Sequence, residues 1–198
     1  MKPEIEAKFV DVDIDDIRQR LKDAGAELEQ PMRLMRRVNI EEQAHKDAGA
    51  WIRVRDEGDK TTLTWKQGMK KSRTIDRIQE LEVVVSSFDD TVKIFELAGW
   101  KPKTYQESKR ETWKLGEVEI LIDEWPWLEP MIEIEASDEA AVRAVAEQLG
   151  FSWNDAEYGN IDDVYMKHYN FVPDFRGVID LKEVRFGDPV PKEFGKRK

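Results

Sequence analysis

The chain has 198 residues, 40% of them hydrophobic, enough to bury a sizeable core in one domain of ordinary size. It contains no cysteine, which excludes disulfides, thiolate metal sites and a thiol nucleophile, and it has no apolar run long enough to span a bilayer. A formal charge of −10 repels nucleic acid polymers and anionic membranes at long range, so an anionic ligand requires basic residues gathered locally. With a charged strand at the start rather than a basic-then-apolar leader, the expectation is a soluble, cytoplasmic protein.

Glu4-Ile5-Glu6-Ala7-Lys8-Phe9 alternates charged and apolar residues, so a strand here lines up Glu4, Glu6 and Lys8 on one face. Asp13 can cap a helix with Ile14, Ile17 and Leu21 at helical spacing, stopped by Gly25. A strand over Arg33 to Ile40 leads to a polar loop, Glu41 to Ala50, containing His45. Trp51 to Arg55 and Thr61 to Lys66 read as a hairpin around the Asp56-Glu57-Gly58-Asp59 turn, followed by a basic loop, Gln67 to Arg73. Glu80 to Val85 is the next strand, and Asp89 to Ala98 a second helix closed at Gly99. Tyr105 to Leu115 turns at Gly116 into Val118 to Asp123, and a Trp125-Pro126-Trp127 loop follows. Met131 to Glu135 repeats the Glu-apolar-Glu pattern and feeds a third helix, Ser137 to Leu149, ended by Gly150. The recurrence of strand, helix and glycine is a weak internal repeat, not a solenoid.

The reading is α+β: about eight strands, mostly joined as hairpins and therefore antiparallel, with three to four helices. One face of nearly every strand is charged. The opposite faces carry residues such as Ile52 and Val54, Leu81 and Val83, Ile120 and Ile122, and Ile132 and Ile134, for which the helices are the expected cover. A sheet with one polar face can leave it in water. Carboxylates and cations mixed on that face favour a closed eight-stranded barrel, a tunnel with charges inside and helices outside, able to take a metal and a polyanion.

The ordered set Glu4-Ile5-Glu6-Ala7-Lys8, Arg53-Val54-Arg55, Lys66, Arg110, Asp123 and Glu133-Ile134-Glu135 resembles the CYTH superfamily, also called triphosphate tunnel metalloenzymes. The likeness covers about residues 2 to 170; residues 171–198 are read as an extension. The resemblance implies an antiparallel tunnel, Mg²⁺ or Mn²⁺ held by Glu4, Glu6, Glu133 and Glu135, and a triphosphate gripped by Lys8, Arg53, Arg55, Lys66 and Arg110. Glu4, Glu6, Lys8 and Asp123 are the implied catalytic set, with Asp123 as a further ligand or general base. Two positions depart from the pattern: Ser108 stands where members often carry lysine, with Lys109 beside it, and Ile78 where they often carry arginine, with Arg77 beside it.

A triphosphate carries about four negative charges, which calls for several fixed cations and a divalent metal on its oxygens. Carboxylates without sulfur or clustered histidine suit Mg²⁺ or Mn²⁺ rather than zinc. Glu80 and Glu82 read as partners of lumen cations, His45 and His168 as solvent or packing residues, and Lys70, Lys71 and Arg73 as a solvated turn. Trp51, Trp125 and Trp127 are candidates to stack on a base.

The expected function is metal-dependent hydrolysis of tripolyphosphate, a nucleoside triphosphate or thiamine triphosphate. The alternatives are a class IV adenylyl cyclase, for which the Tyr158 to Tyr165 segment is the candidate helix, and a non-catalytic polyphosphate- or nucleotide-binding module. A homodimer is compatible with the apolar outer faces. Phe171 to Phe186 is too apolar for a free tail and is expected to pack on the barrel, with Gly195 to Lys198 frayed.

Overall fold

Period-2 alternation builds the wall of the molecule, and the helices cover only part of it. The computed structural model describes residues 1–68, 75 and 78–198. Its strands are β1 (Lys2–Glu4), β2 (Glu6–Val10), β3 (Glu27–Ile40), β4 (Ala50–Asp56), β5 (Thr61–Gly68), β6 (Ile78–Val85), β7 (Pro102–Leu115), β8 (Val118–Glu124), β9 (Met131–Glu135) and β10 (Glu183–Val184). The helices are α1 (Ile14–Asp23), α2 (Gln43–Ala48), α3 (Phe88–Leu97), α4 (Glu139–Gln148) and α5 (Ile161–His168). The residues of the basic loop, Lys70, Lys71 and Arg73, lie outside the described residues, as does Arg77.

The sheet runs β1-β6-β5-β4-β3-β7-β8-β9-β2, antiparallel throughout, with β10 added in parallel to β7. Its two terminal strands, β1 and β2, are separated only by Ile5, so one stretch of chain forms both edges and the sheet is nearly closed into a barrel. Ten strands are therefore seen among the described residues rather than eight. The first expected strand breaks at Ile5 to pair with β6 on one side and β9 on the other, and β10 is too short to have left a pattern.

The apolar outer faces of β2, β8 and β9 form the main core with Ile17 and Leu21 of α1 and Val142, Val145 and Ala146 of α4. Asp13 caps α1, accepting from the Asp16 backbone N–H at 2.9 Å, and Gly25 leaves the helix at a φ of 81°. A second core lies outside β3 and β4, where Val38, Ile40, Ile52 and Val54 meet Phe88 of α3. The expected cover fails on β6: Leu81 and Val83 remain 58% and 52% exposed.

The polar segment Glu41 to Ala50, expected as a loop, contains α2. It has no buried residue and hence no apolar periodicity; its His45 ring instead packs edge-on to Trp65 and Trp100, each at 5.0 Å. Residues after α5 wrap back onto the barrel, where Phe171, Phe175, Val178, Leu181 and Phe194 join Trp125, Met131 and Tyr165. The last four residues, expected to fray, are tied down: Lys198 N–H donates to the His168 carbonyl at 2.8 Å, and Asn170 N–H to the Lys196 carbonyl at 3.0 Å. Among the described residues no helix is long and apolar enough to cross a membrane.

Candidate active site

Inward-facing positions of the barrel enclose a cavity of about 560 Å³. Glu4, Glu6, Lys8, Arg53, Arg55, Lys66, Arg110, Asp123, Glu133 and Glu135 all line it. Register explains the grouping, since Lys8 stands opposite Glu133, Glu6 opposite Glu135, Arg110 opposite Asp123 and Lys66 opposite Glu80.

The wall made by β1, β2 and β9 is acidic. Lys8 Nζ binds Glu6 and lies 3.5 Å from Glu133 Oε1, while Lys66 Nζ reaches across from β5 to bind Glu4. Burial, then the Glu133 charge, pushes the Glu6 carboxyl well above its ordinary value. Burial also opposes ionisation of Glu133, but Lys8, a hydrogen bond from Glu6, Arg110 and Lys66 outweigh it and hold Glu133 well below. Two carboxylates this close and this buried oppose each other's ionisation, so they titrate as a pair. Burial and the neighbouring Glu133 and Glu4 charges raise Glu135 to about 7.

The wall made by β3 and β4 is basic. Arg55 donates to Glu57 Oε1 from Nε at 2.8 Å and from Nη2 at 2.5 Å. Arg53 has no such partner: its Nη2 is 3.6 Å from Glu82 and its buried Nε has no hydrogen bond. Burial, then Arg55, pulls the Arg53 value down to about 10.

Arg37, absent from the sequence-derived set, is still less compensated. Its Nη2 donates to Ser108 Oγ at 3.1 Å, its guanidinium lies 4.4 Å from the centre of the Trp125 ring, and its Nε is buried without a partner. Burial and the like charges of Arg53, Arg55 and Arg110 lower it well below the usual guanidinium value. A guanidinium does not give up its proton in a protein, so that pressure is the cost of a buried charge lacking a counter-ion. Ser108, at the position where a lysine was expected, therefore supports an arginine from the next strand. Lys109 points away, to Glu124 at 3.1 Å.

Other expectations need correction. Asp123 is 2% exposed and held bidentately by Arg110, at 2.7 and 2.6 Å, which leaves it poorly placed as a free base. Trp127 is not in the cavity; its Nε1 donates to the Asp188 carbonyl at 2.7 Å and its ring packs on Phe194. Trp125 does line the cavity, but it is 4% exposed and its ring is covered by Arg37. Tyr165, in the candidate cyclase helix, is fully buried with its hydroxyl donating to the Pro126 carbonyl at 2.6 Å, outside the cavity lining.

The acidic wall fits a hard divalent cation. Its donors are all carboxylate oxygens, Glu4 Oε2 is buried with no hydrogen bond, and Glu6 and Glu135 resist ionisation through burial and the crowding of neighbouring carboxylates. Among the described residues no three of these groups are already gathered as a cage; Lys8 and Lys66 hold the carboxylates instead.

The CYTH domain model matches residues 2–164, most of the chain. The chain belongs to the CYTH family. CYTH enzymes that act on triphosphates depend on a metal in general. A Pyrococcus horikoshii protein shares 24% identity over 78% of this chain and 94% of its own, with a TM-score of 0.64. A putative adenylate cyclase of Vibrio parahaemolyticus shares 16% over 83% and 98%, with 0.67. A putative adenylyl cyclase of Hippeastrum, described as having a dominant triphosphatase activity, shares 14% over 81% and 91%, with 0.54. At these identities the likeness speaks for the CYTH fold. Among curated proteins no sequence matches the chain.

At the edge of the cavity, burial lifts the Asp162 carboxyl to about 7 against the hydrogen bonds of the Ile179 and Val178 backbone. An acid raised in the folded state destabilises the fold when ionised. Its contribution is intact below the ordinary aspartate value and is lost as pH climbs from there toward 7. Asp162→Asn is expected to narrow the drop in melting temperature between pH 5 and pH 8 by about 4–10 °C, the equivalent of about 2–3 kcal/mol for the roughly two pH units between pH 5 and 7. An unchanged drop would place the titration elsewhere.

Proposed function

We propose that this CYTH protein hydrolyses a triphosphate in a metal-dependent reaction inside the barrel. The observation that carries the reading is the opposition of two walls. Buried Arg37 and Arg53 lack carboxylate hydrogen bonds on one side, and a crowded carboxylate set with an orphaned Glu4 oxygen faces them on the other. Despite its internal ion pairs, each half keeps an excess of its own charge, and a metal-bound triphosphate would offset both.

Arg37, Arg53, Arg55 and Lys66 would grip the phosphoryl oxygens, over which charge spreads in the transition state, in a site where burial strengthens each contact. Arg110 is aimed by Asp123 and reaches Glu133 at 3.4 Å, and Lys8 holds Glu6 and Glu133 in place. Glu4, Glu6, Glu133 and Glu135 would hold Mg²⁺ or Mn²⁺, which when bound neutralises phosphate charge and polarises the phosphorus under attack. Asp123 is occupied by Arg110, so the carboxylate that would take the attacking water's proton is Glu135, raised to about 7.

The Hippeastrum protein's description, cyclase by name and triphosphatase by activity, supports keeping both outcomes in the assay. The purified protein with Mg²⁺ or Mn²⁺ is given tripolyphosphate, ATP or thiamine triphosphate. Orthophosphate release is expected; cyclic AMP with pyrophosphate would establish the cyclase instead, and tight binding without turnover the non-catalytic module. Two variants separate the walls. Glu6→Gln is expected to lose activity that added metal partly restores. Arg55→Ala is expected to lose about 30- to 1000-fold in kcat/KM, and metal is not expected to rescue it. Equal rescue of both would mean the walls are assigned wrongly.

A further inference from the structure

The arginines of the basic wall are held in different ways. Among the described residues Arg37 has a hydroxyl partner and Arg53 no side-chain hydrogen bond, whereas both Nε and Nη2 of Arg55 donate to Glu57 Oε1. Thr62 Oγ1 donates to the same oxygen at 3.4 Å, and Lys60 Nζ stands 3.8 Å from Glu57 Oε2. Arg55 and Glu57 both line the cavity and both are buried. Among the described residues Arg55 Nη1 has no hydrogen-bond partner, so one edge of the guanidinium is held and the other is left for a ligand.

The clamp is itself fixed. Glu57 lies in the turn between β4 and β5, where its N–H donates to the Lys60 carbonyl at 2.9 Å and the Gly58 N–H donates to Asp56 Oδ1 at 2.9 Å. Gln30 donates to Asp59 of the same turn at 2.7 Å. Arg33 donates from Nε to the Glu57 carbonyl at 3.0 Å, and from Nη1 to the Arg110 carbonyl and Thr112 Oγ1, each at 3.2 Å. The turn that carries Glu57 is thereby tied to the strand that carries Arg110.

An anion in the lining of a polyanion site works against binding by its charge alone. We infer that Glu57 is a positioning residue, which fixes the Arg55 fork in the geometry that the reacting phosphoryl group requires. The inference rests on the reading of the lumen as a triphosphate site. With Nε and Nη2 held from behind, the side chain is ordered before substrate arrives, and its free edge is offered in one orientation. Arg37 and Arg53, whose charges lack a close carboxylate, supply attraction. Arg55, balanced by Glu57, supplies direction.

Two variants separate reach from charge. Glu57→Gln keeps an acceptor at the same reach and loses the charge; Glu57→Asp keeps the charge and withdraws it by one methylene. Kinetics with Mg²⁺, below the onset of melting, use whichever of tripolyphosphate, ATP and thiamine triphosphate the wild type turns over fastest. Glu57→Gln is expected to keep kcat within about threefold, with KM unchanged or lower, and Glu57→Asp to lose about tenfold or more in kcat. In the Arg55→Ala background Glu57→Asp is expected to cost less than about twofold, because no fork remains to be aimed. In the ligand-free protein the Arg55 Nε–H resonance is expected to be protected from solvent exchange in the wild type and Glu57→Gln, and unprotected in Glu57→Asp. A kcat retained in Glu57→Asp, a loss in Glu57→Gln as large as that in Glu57→Asp, additive losses in the double variant, or an Nε–H equally protected in both single variants overturns the positioning role and leaves the triphosphate site standing. A wild type that turns over none of the three substrates overturns the triphosphatase reading and this role with it.

Discussion

Arg37→Met is expected to cost about 30- to 1000-fold in kcat/KM for the triphosphate while raising the melting temperature of the ligand-free protein. The two effects share a cause. Arg37 is buried among Arg53, Arg55 and Arg110, with one hydroxyl partner and an orphaned Nε, so without ligand its charge is a net liability to the fold. Methionine fills similar volume beside Trp125 without charge, and a gain of about 1 kcal/mol corresponds to about 2–4 °C in a chain of this size. A phosphate in contact turns that liability into a charge-assisted hydrogen bond worth about 2–4 kcal/mol in the transition state. Steady-state kinetics and a melting curve on the same preparation decide the matter. Wild-type turnover, or a clear fall in stability, would mark Arg37 as a structural residue.

Phe194→Ala is expected to remove about 3–5 kcal/mol of stability, lowering the melting temperature by about 6–20 °C. The ring is fully buried, with Tyr169, Phe171, Tyr165, Trp127 and Phe175 at centroid distances of 4.9 to 5.9 Å. Five aromatic neighbours cannot collapse into the void, so both the transfer and cavity costs are felt. Val190→Ala, at a residue 48% exposed in the same segment, serves as the control and is expected to change stability by less than about 0.5 kcal/mol. Denaturant unfolding of the two variants gives the comparison, and near-equality would show that the segment does not share in the global fold.

Strict alternation made the lumen legible in sequence. Glu4, Glu6 and Lys8, or Arg53 and Arg55, repeat charge at every second residue, and parity alone sends them to one face. Arg37 was hidden by the same logic. It follows Arg36, which is on the other face and pairs with Asp56 at 2.9 Å, and the inward position before it is apolar Met35, so neither parity stands out. Glu57 fell in a turn by its Asp56-Glu57-Gly58-Asp59 setting, yet it is 5% exposed and clamps Arg55. Closure between β1 and β2 depends on contacts far apart in the chain, which no local pattern encodes. The bare outer face of β6 was missed because periodicity identifies an apolar face without saying what meets it.

The break at Ile5 ties chemistry to the order in which the molecule comes together. Residues 2–10 pair with Glu80 along one edge and with Glu133 along the other, partners that emerge much later from synthesis. Such distant pairings bear a large loop-closure entropy, so this segment docks late and waits for β9. It also brings Glu4, Glu6 and Lys8, half of the acidic wall. Until this segment docks the lumen lacks these groups, so a ligand that bridges the walls is expected to retard the opening of the finished barrel rather than hasten its assembly.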